Sequence, residues 1–444
     1  MKLKKISPYV IILIGFLGII TLGTILLLLP FSTVDGYELS FIDALFTSTS
    51  AVCVTGLVPV ESVASVFTLF GKIVILFLIQ VGGLGFITLG MFIFSVLGLK
   101  IGISDRVLIK ESLNQNSLSG MVRLVRNAVF LTLVIELVGA IINFTVFIKD
   151  YDLLDAIGIS IFHSISSFNN AGFDVFNIAI SESKYVNDII FNLNTSLLII
   201  IGGIGFVVIY DLLDAKKWKK LRIHTKIVIK MTIMLLVVGT VLIKISEYEK
   251  ITWLQAMFTS VNARTAGFAT VDFNLFSSFS ILVVIMLFFI GASPASTGGG
   301  IKTTTFYTII KSIGSYARGK KPISYNRKIS EYSITKAFVL VSLSLIIIVI
   351  TIGIISFIER YNGKIINDYN YFMKIVFESF SAFGTVGNSM GITKDLHWLS
   401  KWLLSMLMLF GRLGPITIIS LWNSKSAQIN NDKIKYLDQK MFIG

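Results

Sequence analysis

Eight long apolar stretches dominate the pattern of hydrophobic and polar positions along this chain of 444 residues. The hydrocarbon core of a bilayer is about 30 Å thick, and a helix needs about 20 apolar residues to cross it. Each stretch reaches about that length, so the pattern predicts an all-α polytopic membrane protein. The predicted spans are 9–30, 70–98, 124–148, 189–211, 226–246, 279–310, 334–358 and 398–423.

A shorter apolar segment, too short to cross a bilayer, precedes the second, fourth, sixth and eighth spans. Small and hydroxyl-bearing residues occupy one side of its helical repeat and bulky residues occupy the other. The pattern therefore predicts four short helices that enter the membrane and stop midway, called half-helices below. Their sequences are IDALFTSTSAV, DAIGISIFHSISSF, WLQAMFTSVNA and FMKIVFESFSAF.

A glycine flanked by small or β-branched residues follows each half-helix, in a tetrad called a glycine loop below. Self-similarity at a regular spacing indicates an internal repeat, and the unit here is span, half-helix, glycine loop, span. We expect four pseudo-symmetric units around one central pore, at 1–98, 99–214, 215–328 and 329–444. The tetrads are Val54-Thr55-Gly56-Leu57, Asn170-Ala171-Gly172-Phe173, Thr265-Ala266-Gly267-Phe268 and Thr385-Val386-Gly387-Asn388.

Composition agrees with this architecture and changes the interpretation of the charge. Only 14% of the residues are charged, whereas soluble domains carry about 25%. In a soluble protein the net charge of +14 would raise nucleic acid as a partner. Sorted by the predicted spans, however, the charge is +19 on one side and −5 on the other. The positive-inside rule then places both termini in the cytoplasm, and no nucleic acid partner is expected.

The four units together predict a cation site. A half-helix that stops midway directs the negative end of its dipole at the membrane centre, and irregular backbone at that depth is tolerated where it lines a watery cavity. Carbonyl oxygens of such a loop can replace the hydration shell of K⁺. One tetrad alone is weak support because short motifs recur by chance, but four in register favour a pore over simple helix-packing glycines.

The sixth span is interrupted at 291–303 by a proline, three consecutive glycines and several hydroxyls. A break at this depth is expected to line the pore beneath the glycine loops, and a static kink is the alternative. Lys302, at its inner end, is expected to extend to the cytoplasmic interface. The residues singled out in the break are Gly291, Ala292, Ser293, Pro294, Ser296, Thr297, Gly298, Gly299, Gly300 and Lys302.

Arg412 is a charged residue inside the eighth predicted span. Burying it costs at least about 2.5–3.5 kcal/mol, so its side chain should face the bundle interior or a cavity. Facing the pore, its charge would oppose cation entry, and its donors could bind carbonyls of the 291–303 loop. The alternative is a structural ion pair with Glu136 or Glu378.

Three positions at the glycine loops depart from their counterparts. Cys53 is expected to be a small packing residue. Arg264 is expected to hold its loop from the outer side or to pair with Asp272 or Asp43. Asn388 stands where the other units carry a large apolar residue, so the outermost site of the fourth loop is expected to differ from the others.

Signs of enzyme chemistry are weak in this sequence. GGGIKTTT lacks the G-K-[ST] step of a phosphate loop because an isoleucine separates the glycine from the lysine. QVGGLGF and GGIGF lack the third glycine of a dinucleotide fingerprint, and helix packing explains them better. His163, His224 and His397 are scattered, with no metal-ligand spacing. Neither a bound nucleotide nor a metal cofactor is therefore expected on this chain.

The chain resembles the ion-conducting subunit of the Ktr/Trk/HKT superfamily of potassium transporters, of the bacterial KtrB/KtrD type. The resemblance covers nearly the whole chain, with the tail after residue 424 matching least. The residues that carry it are SAVCVTGL, SSFNNAGF, VNARTAGF and SAFGTVG in the glycine loops, with FIGASPASTGGGIKTTTF, QVGGLGF, GGIGF and FGRLGP in the spans.

The resemblance implies a function for each of these features. It implies that the sixteen tetrad residues form a selectivity filter for K⁺, and that the 291–303 loop with Arg412 forms an intramembrane gate. It also implies a bacterial plasma-membrane homodimer controlled by a cytoplasmic ring of nucleotide-binding RCK-type subunits of the KtrA/KtrC kind, with Na⁺ as a conceivable activator. The basic loops at 216–226 and 318–328 suit either that ring or anionic membrane lipid.

Two other functions remain open on sequence. A potassium symporter coupled to Na⁺ or H⁺ would need a coupling group, and Glu136 and Glu378 are the candidates within the membrane. An intramembrane enzyme would need a nucleophile and a base near mid-membrane. The glycine loops hold no acidic residue, which argues against a proton relay there.

Overall fold

The computed structural model describes residues 7–99, 102–112, 120–176, 180–363 and 369–414. Helices make up most of this described part, as the all-α prediction requires. The exception is a small antiparallel hairpin in the basic 318–328 loop. The predicted tail 424–444, the last residues of the predicted eighth span and residues 1–6 lie outside the described residues.

The described part contains seventeen α-helices, two short strands and five 3₁₀ turns. The helices are α1 (Pro8–Leu27), α2 (Phe41–Val52), α3 (Val63–Val66), α4 (Leu69–Leu84), α5 (Phe86–Val96), α6 (Ile103–Ser112), α7 (Met121–Phe147), α8 (Leu153–Phe168), α9 (Ile189–Ile204), α10 (Phe206–Ala215), α11 (Ile223–Ser246), α12 (Trp253–Asn262), α13 (Ser278–Phe289), α14 (Thr303–Tyr316), α15 (Glu331–Tyr361), α16 (Tyr369–Gly384) and α17 (Trp398–Leu413). The strands are β1 (Ile323–Ser324) and β2 (Arg327–Lys328), and the 3₁₀ turns are Ile180–Glu182, Lys184–Asn187, Trp218–Lys220, Phe273–Leu275 and Thr393–Asp395.

Four helices, α1, α7, α11 and α15, are each long and apolar enough to cross a membrane, and they fall on the first, third, fifth and seventh predicted spans. Their outward faces carry large exposed apolar side chains such as Ile14, Leu137, Val237 and Val349. Apolar surface of this extent is unfavourable in water and suits contact with lipid. The chain is therefore a multi-pass membrane protein.

The second and fourth predicted spans are bent helix pairs. The helices α4 and α5 meet at 91°, and α9 and α10 meet at 94°. Gly85 and Gly205 occupy these bends with φ of 81° and 93°, a region that glycine enters without steric cost. The prediction of continuous helices over 70–98 and 189–211 was therefore wrong at these two positions.

The sixth and eighth predicted spans are also not simple helices. The sixth consists of α13 and α14, separated by residues 290–302. In the eighth, α17 ends at Leu413 and Gly414 follows with φ of 77°. A glycine with left-handed φ thus follows the helix after the glycine loop in the first, second and fourth units. The unit boundaries at 98, 214 and 328 remain predictions.

The four short helices α2, α8, α12 and α16 coincide with the predicted half-helices to within a few residues. In three of them a serine donates a hydrogen bond to a carbonyl of the preceding long helix, at a glycine that permits the close approach. The pairs are Ser48 Oγ with Ile20 O at 2.8 Å, Ser164 Oγ with Glu136 O at 2.6 Å and Ser260 Oγ with Leu236 O at 3.0 Å, beside Gly23, Gly139 and Gly239. These contacts anchor each half-helix to its own span.

Each half-helix also buries one phenylalanine at an equivalent place. These rings are at most 4% exposed and fill the interior around the glycine loops. They stand ten residues before the loop glycine in the first, second and fourth units and nine residues before it in the third. They are Phe46, Phe162, Phe258 and Phe377.

The last helix contacts the first half-helix through a shielded ion pair. Lys401 Nζ on α17 lies 2.8 Å from Asp43 Oδ1 on α2, and the two side chains are only 8% and 20% exposed. Asp43 also accepts a hydrogen bond from the Ser40 hydroxyl, which caps α2. This pair joins parts of the chain that are far apart in sequence and closes the bundle.

Replacing Lys401 by methionine should lower the thermal stability of the purified protein. Removing one partner leaves a shielded carboxylate without its cation, which we expect to cost about 1–3 kcal/mol. Thermal unfolding in detergent measures the effect. Lys328→Met is the matched control, because Lys328 and its partner Glu331 are 49% and 84% exposed and such pairs contribute about 0–1 kcal/mol. Equal stability of the two variants would contradict this role of the pair.

Candidate ion pathway

All four glycine loops share one backbone conformation. The first residue of each tetrad and its glycine have positive φ, and the residue between them does not. Alternation of positive and negative φ can turn successive carbonyls toward one side, whereas an ordinary strand turns them to opposite sides. The φ values are 58° and 95° at Val54 and Gly56, 59° and 70° at Asn170 and Gly172, 81° and 77° at Thr265 and Gly267, and 50° and 96° at Thr385 and Gly387.

The four glycines fit against one another in a closed cycle. A Cβ added to any of them would lie within 2.6 Å of a carbonyl oxygen in the next unit, closer than real Cβ atoms approach. The order of contacts runs once around the four loops and returns to the first. The pairs are Gly56 with Ala171 O, Gly172 with Ala266 O, Gly267 with Val386 O and Gly387 with Thr55 O.

A polar side chain near the end of each half-helix holds the backbone of its own glycine loop. These bonds occupy backbone groups that a helix or sheet would otherwise satisfy. They are Gly56 N to Ser50 Oγ at 3.0 Å, Ser166 Oγ to Phe173 O at 2.6 Å, Phe268 N to Asn262 Oδ1 at 3.2 Å and Gly387 N to Ser381 Oγ at 3.1 Å. Hydrogen bonds from its own half-helix thus hold each loop in place.

The residue after each glycine is buried, with at most 1% of its surface exposed. In the first three units this residue is Leu57, Phe173 or Phe268, packed in the hydrophobic core. Asn388 departs from them, as its sequence indicated, and its Nδ2 lies 3.3 Å from Gly267 O. That contact ties the fourth loop to the third after their glycines. Cys53 is fully buried, as expected of a packing residue.

The 291–303 loop lies directly against the first residues of three glycine loops. Gly299 N donates to Thr385 Oγ1 at 2.9 Å, and the Thr297 hydroxyl lies 3.1 Å from the Asn170 side-chain amide. Gly298 leaves no room for a Cβ beside the Thr265 hydroxyl. The loop therefore lies against the end of the four-loop ring that is formed by the first residues of the tetrads.

The same loop is also bonded to the bend between α9 and α10 and to α17. Ser293 N donates to Gly203 O at 3.0 Å, and Phe206 N donates to Ala295 O at 2.9 Å. Gly300 N reaches Gly411 O at 3.3 Å. Within the loop, Ala292 N bonds Gly299 O at 3.3 Å, Gly291 packs against Gly299 and Gly300, Ser296 Oγ bonds Ser293 O at 2.6 Å, and Pro294 O packs against Gly205.

Arg412 bridges this loop to α4. Its Nη1 donates to Thr297 O, and its Nη2 donates to Gly82 O and, at 3.1 Å, to Gly83 O. The guanidinium thus binds carbonyls, which was one of the two interpretations from sequence. It touches the 291–303 loop directly and fastens it in place.

The alternative ion pair of Arg412 was wrong. Glu136 accepts hydrogen bonds from Gln80 Nε2 at 3.1 Å and Asn169 Nδ2 at 2.8 Å. Glu378 accepts from the hydroxyls of Ser389 and Thr393. In the described part of the chain, neither carboxylate forms an ion pair with the arginine.

Two further cationic side chains lie elsewhere than expected. Lys302 does not extend toward an interface, because its Nζ donates to Gly298 O at 2.7 Å and so closes the 291–303 loop on itself. Arg264 pairs with neither Asp272 nor Asp43. It is 7% exposed and its Nη1 lies 3.4 Å from Thr232 O on α11. Sequence reasoning placed it on the outer side because arginine is seldom buried without an acid.

The bends at Gly85 and Gly205 were missed by sequence reasoning, although GGLG and GGIG were noted as packing motifs. The only signal was a glycine three residues after another in a helix that is otherwise apolar. Gly205 matters for the pathway because a Cβ there would lie 2.5 Å from Pro294 O, whereas the nearest atom to a Cβ on Gly85 is 3.8 Å away.

Gly205→Ala should therefore be more damaging than Gly85→Ala. Both replacements place alanine at positive φ, which costs about 1–3 kcal/mol, but only the first also displaces the 291–303 loop. We expect Gly205→Ala to lower the thermal midpoint further and to change the rate of ion uptake, with Gly85→Ala as the matched control. Equal effects of the two variants on both measurements would show that the contact with Pro294 is unimportant.

Comparison with known proteins gives consistent matches over the whole length. The TrkH family, described as cation transport protein, matches residues 7–432. The chain is 38% identical to the Ktr system potassium uptake protein B of Bacillus subtilis, covering 100% of this chain and 98% of that protein. It is 35% identical to the potassium/sodium uptake protein NtpJ of Enterococcus hirae, covering 99% and 98%. The crystal structure of the potassium transporter TrkH from Vibrio parahaemolyticus matches with a TM-score of 0.72 at 20% identity, over 95% of this chain and 86% of that one, and supports the fold.

Proposed function

The chain belongs to the TrkH family of cation transport proteins, and on that premise we propose that it takes up potassium ions across the bacterial plasma membrane. It is a transporter and not an enzyme. The four glycine loops act as the selectivity filter, and the 291–303 loop with Arg412 acts as the gate. Potassium is the proposed ion because relatives at 38% and 35% identity are named for potassium or potassium/sodium uptake.

The closed cycle of glycine contacts is the observation that carries this proposal. Four loops with the same alternating backbone angles face one another at distances that only glycine permits. The arrangement offers stacked carbonyl oxygens in place of the water around an ion. The C-terminal ends of four half-helices approach the same place, and their dipoles favour a cation there.

The membrane potential drives the uptake in this proposal. An interior-negative potential supplies about 2.3 kcal/mol per elementary charge per 100 mV, which favours entry of K⁺ without ATP. The filter side faces outward if both termini are cytoplasmic, as the distribution of Lys and Arg predicts. Nucleotide is not required on this chain.

The gate is proposed to be closed in the conformation described here. The 291–303 loop covers the inner end of the glycine loops through Thr297, Gly298 and Gly299, and Arg412 holds it there. Opening requires the loop to leave these contacts. Its glycines supply the backbone freedom for that movement.

A cytoplasmic partner is proposed to control this step. The relative from Bacillus subtilis is named as part of a Ktr system, which fits a nucleotide-binding RCK-type ring of regulatory subunits and a homodimer of the membrane subunit. The hairpin β1–β2 presents exposed basic residues near α14, the helix that follows the 291–303 loop. Membrane lipid is the other proposed contact of this basic surface.

The direct test is uptake of K⁺ by the purified chain in liposomes that carry an interior-negative potential. Uptake above that of protein-free liposomes, with Na⁺ competing weakly, is the expected result. The proposal would be refuted if no K⁺ flux were seen either with the chain alone or with a co-expressed regulatory subunit.

Coupled transport is a second candidate, favoured by one observation. Glu136 is 5% exposed and hydrogen-bonded to Gln80 and Asn169 beside the second glycine loop, and an ionisable group at such a place is a candidate coupling site. The name of the Enterococcus relative also includes sodium. Uptake measured with and without Na⁺, and across a pH gradient, separates the two. Dependence on a Na⁺ or H⁺ gradient at fixed potential would favour the coupled mechanism.

A further inference from the structure

A small cavity lies between the second and third units, behind their glycine loops. The space open to the centre of a water molecule is about 10 Å³, close to the minimum that holds one water. Arg264 and Thr232 supply its polar lining, and Gly203 and Ala292 form the wall next to the 291–303 loop. Its remaining lining is apolar and comes from Ile199, Ile200, Leu236 and Val261.

Two buried polar atoms of the lining side chains have no hydrogen-bond partner among the described residues. They are Arg264 Nε and Thr232 Oγ1, on side chains that are 7% and 5% exposed. A helical threonine commonly bonds the carbonyl four residues earlier, as Thr240 on the same helix does with Leu236 O at 2.7 Å. The Thr232 hydroxyl does not, which leaves it free for a ligand.

The corresponding contact between the first and second units explains why Arg264 Nε lacks a side-chain acceptor. There, Asn169 stands three residues before its loop glycine, as Arg264 does, and bonds both Gln80 and Glu136. The carbonyls of Glu136 and Leu236 receive the equivalent serine bonds from α8 and α12. Gln80 and Ile200 are also equivalent, because each stands three residues before a glycine of its helix, Gly83 and Gly203.

Between the first and second units, the three polar side chains of Gln80, Glu136 and Asn169 bond one another. Between the second and third units, the equivalent positions hold one cation, Arg264, and two apolar residues. Ile200 and Leu236 replace the amide and the carboxylate, so they offer Arg264 no side-chain acceptor. A buried charged donor that lacks an acceptor costs at least as much as a lost hydrogen bond. The positive charge therefore requires a small acceptor that the protein side chains do not provide.

We propose that Arg264 and Thr232 bind one water molecule in this cavity. The water accepts a hydrogen bond from Arg264 Nε and bonds Thr232 Oγ1, which satisfies both buried atoms. Water fits better than a larger acceptor because the cavity has room for a single water-sized sphere. The site is independent of which ion the protein conducts.

The location gives this water a structural role. Gly203 accepts the Ser293 N–H that fastens the 291–303 loop to α9, and Ala292 belongs to the loop itself. The bound water fills the space behind that junction and keeps Arg264 from turning to the backbone carbonyls there. Arg264 therefore shares one cavity with Ala292 of the 291–303 loop.

The test is an experimental map of the full chain in lipid, at a resolution that shows ordered water elsewhere in the same map. Density within hydrogen-bond distance of both atoms is expected in the parent protein and in Thr232→Ser, and its loss is expected in Thr232→Val. Thr240→Val on the same helix is the matched control and should retain the density.

Three results would overturn the proposal. One is a parent map in which the cavity holds no density while other buried waters are visible. Another is density that persists in Thr232→Val, because Thr232 would then not be a ligand. The third is anomalous signal at the site after crystals are soaked in bromide, which would identify a halide instead of water.

Discussion

Replacing Gly387 by serine should reduce the preference for K⁺ over Na⁺ by about tenfold. The serine Cβ would lie 2.0 Å from the Thr55 carbonyl oxygen, and φ of 96° is strained for any residue with a side chain. Strain of this kind costs about 1–3 kcal/mol, and 1.4 kcal/mol corresponds to a factor of ten. The loop is expected to relieve the strain by moving the Thr55 carbonyl away from the ion, which weakens discrimination by size and coordination.

The measurement is K⁺ uptake in liposomes at increasing Na⁺, compared between the parent chain and the variant. Gly158→Ser is the matched control, because it lies in the half-helix α8 and no atom lies within 4 Å of its added Cβ. A Gly387→Ser variant that folds, conducts K⁺ and keeps its discrimination would remove the glycine loops from the selectivity filter.

Replacing Arg412 by glutamine should raise uptake by the chain alone, without its regulatory partner, by about tenfold. The substitution removes charged donors to Thr297, Gly82 and Gly83, and a hydrogen bond to a charged group contributes about 1.5–3 kcal/mol. These bonds hold the gate loop against the glycine loops, so their loss shifts the equilibrium toward the open state. Removal of the positive charge also lowers the barrier to a cation.

Uptake in liposomes at fixed potential measures this effect. Arg318→Gln is the control, since it removes the same charge from an exposed position in the basic loop. Deletion of Gly298, Gly299 and Gly300 tests the same barrier from the side of the loop. Unchanged uptake in the Arg412 variant would show that the arginine is a structural residue and that the gate lies elsewhere.

The half-helices could be predicted from sequence because local patterns determine them. Each is an apolar segment of the right length, bounded by polar residues and followed by a glycine, and the observed helices agree with the predicted segments. The glycine loops were recognisable for a related reason. Each tetrad is weak as a motif, but its recurrence between spans restricts what the four can do together.

The bends, in contrast, have no counterpart in the local apolar pattern. Gly85 and Gly205 look alike in sequence to glycines that merely pack helices, such as Gly139. No atom lies closer than 3.8 Å to an added Cβ on Gly85, whereas Gly205 lies against a distant neighbour, the backbone of Pro294 and Ala295. A pattern of apolar residues contains no information about that neighbour.

Buried cations were the least predictable feature. Charge rules place arginine and lysine near water or beside an acid, and these rules put Arg264 with Asp272 or Asp43. In the fold, Arg264, Lys302 and Arg412 instead approach backbone carbonyls. Carbonyl acceptors are present at every residue, so the sequence offers no mark for the ones that a cation will use.

The closed cycle of glycine contacts is built from four segments of one polypeptide. In an assembly of four identical chains, any substitution would appear at all four corners of the ring. In this chain a substitution affects only one of the four loops, so the loops can differ from one another. Arg264 and Asn388 are examples of such differences. Covalent linkage thus lets one loop carry a polar contact that the others lack, such as Asn388 Nδ2 with Gly267 O, while the four loop glycines keep their mutual fit.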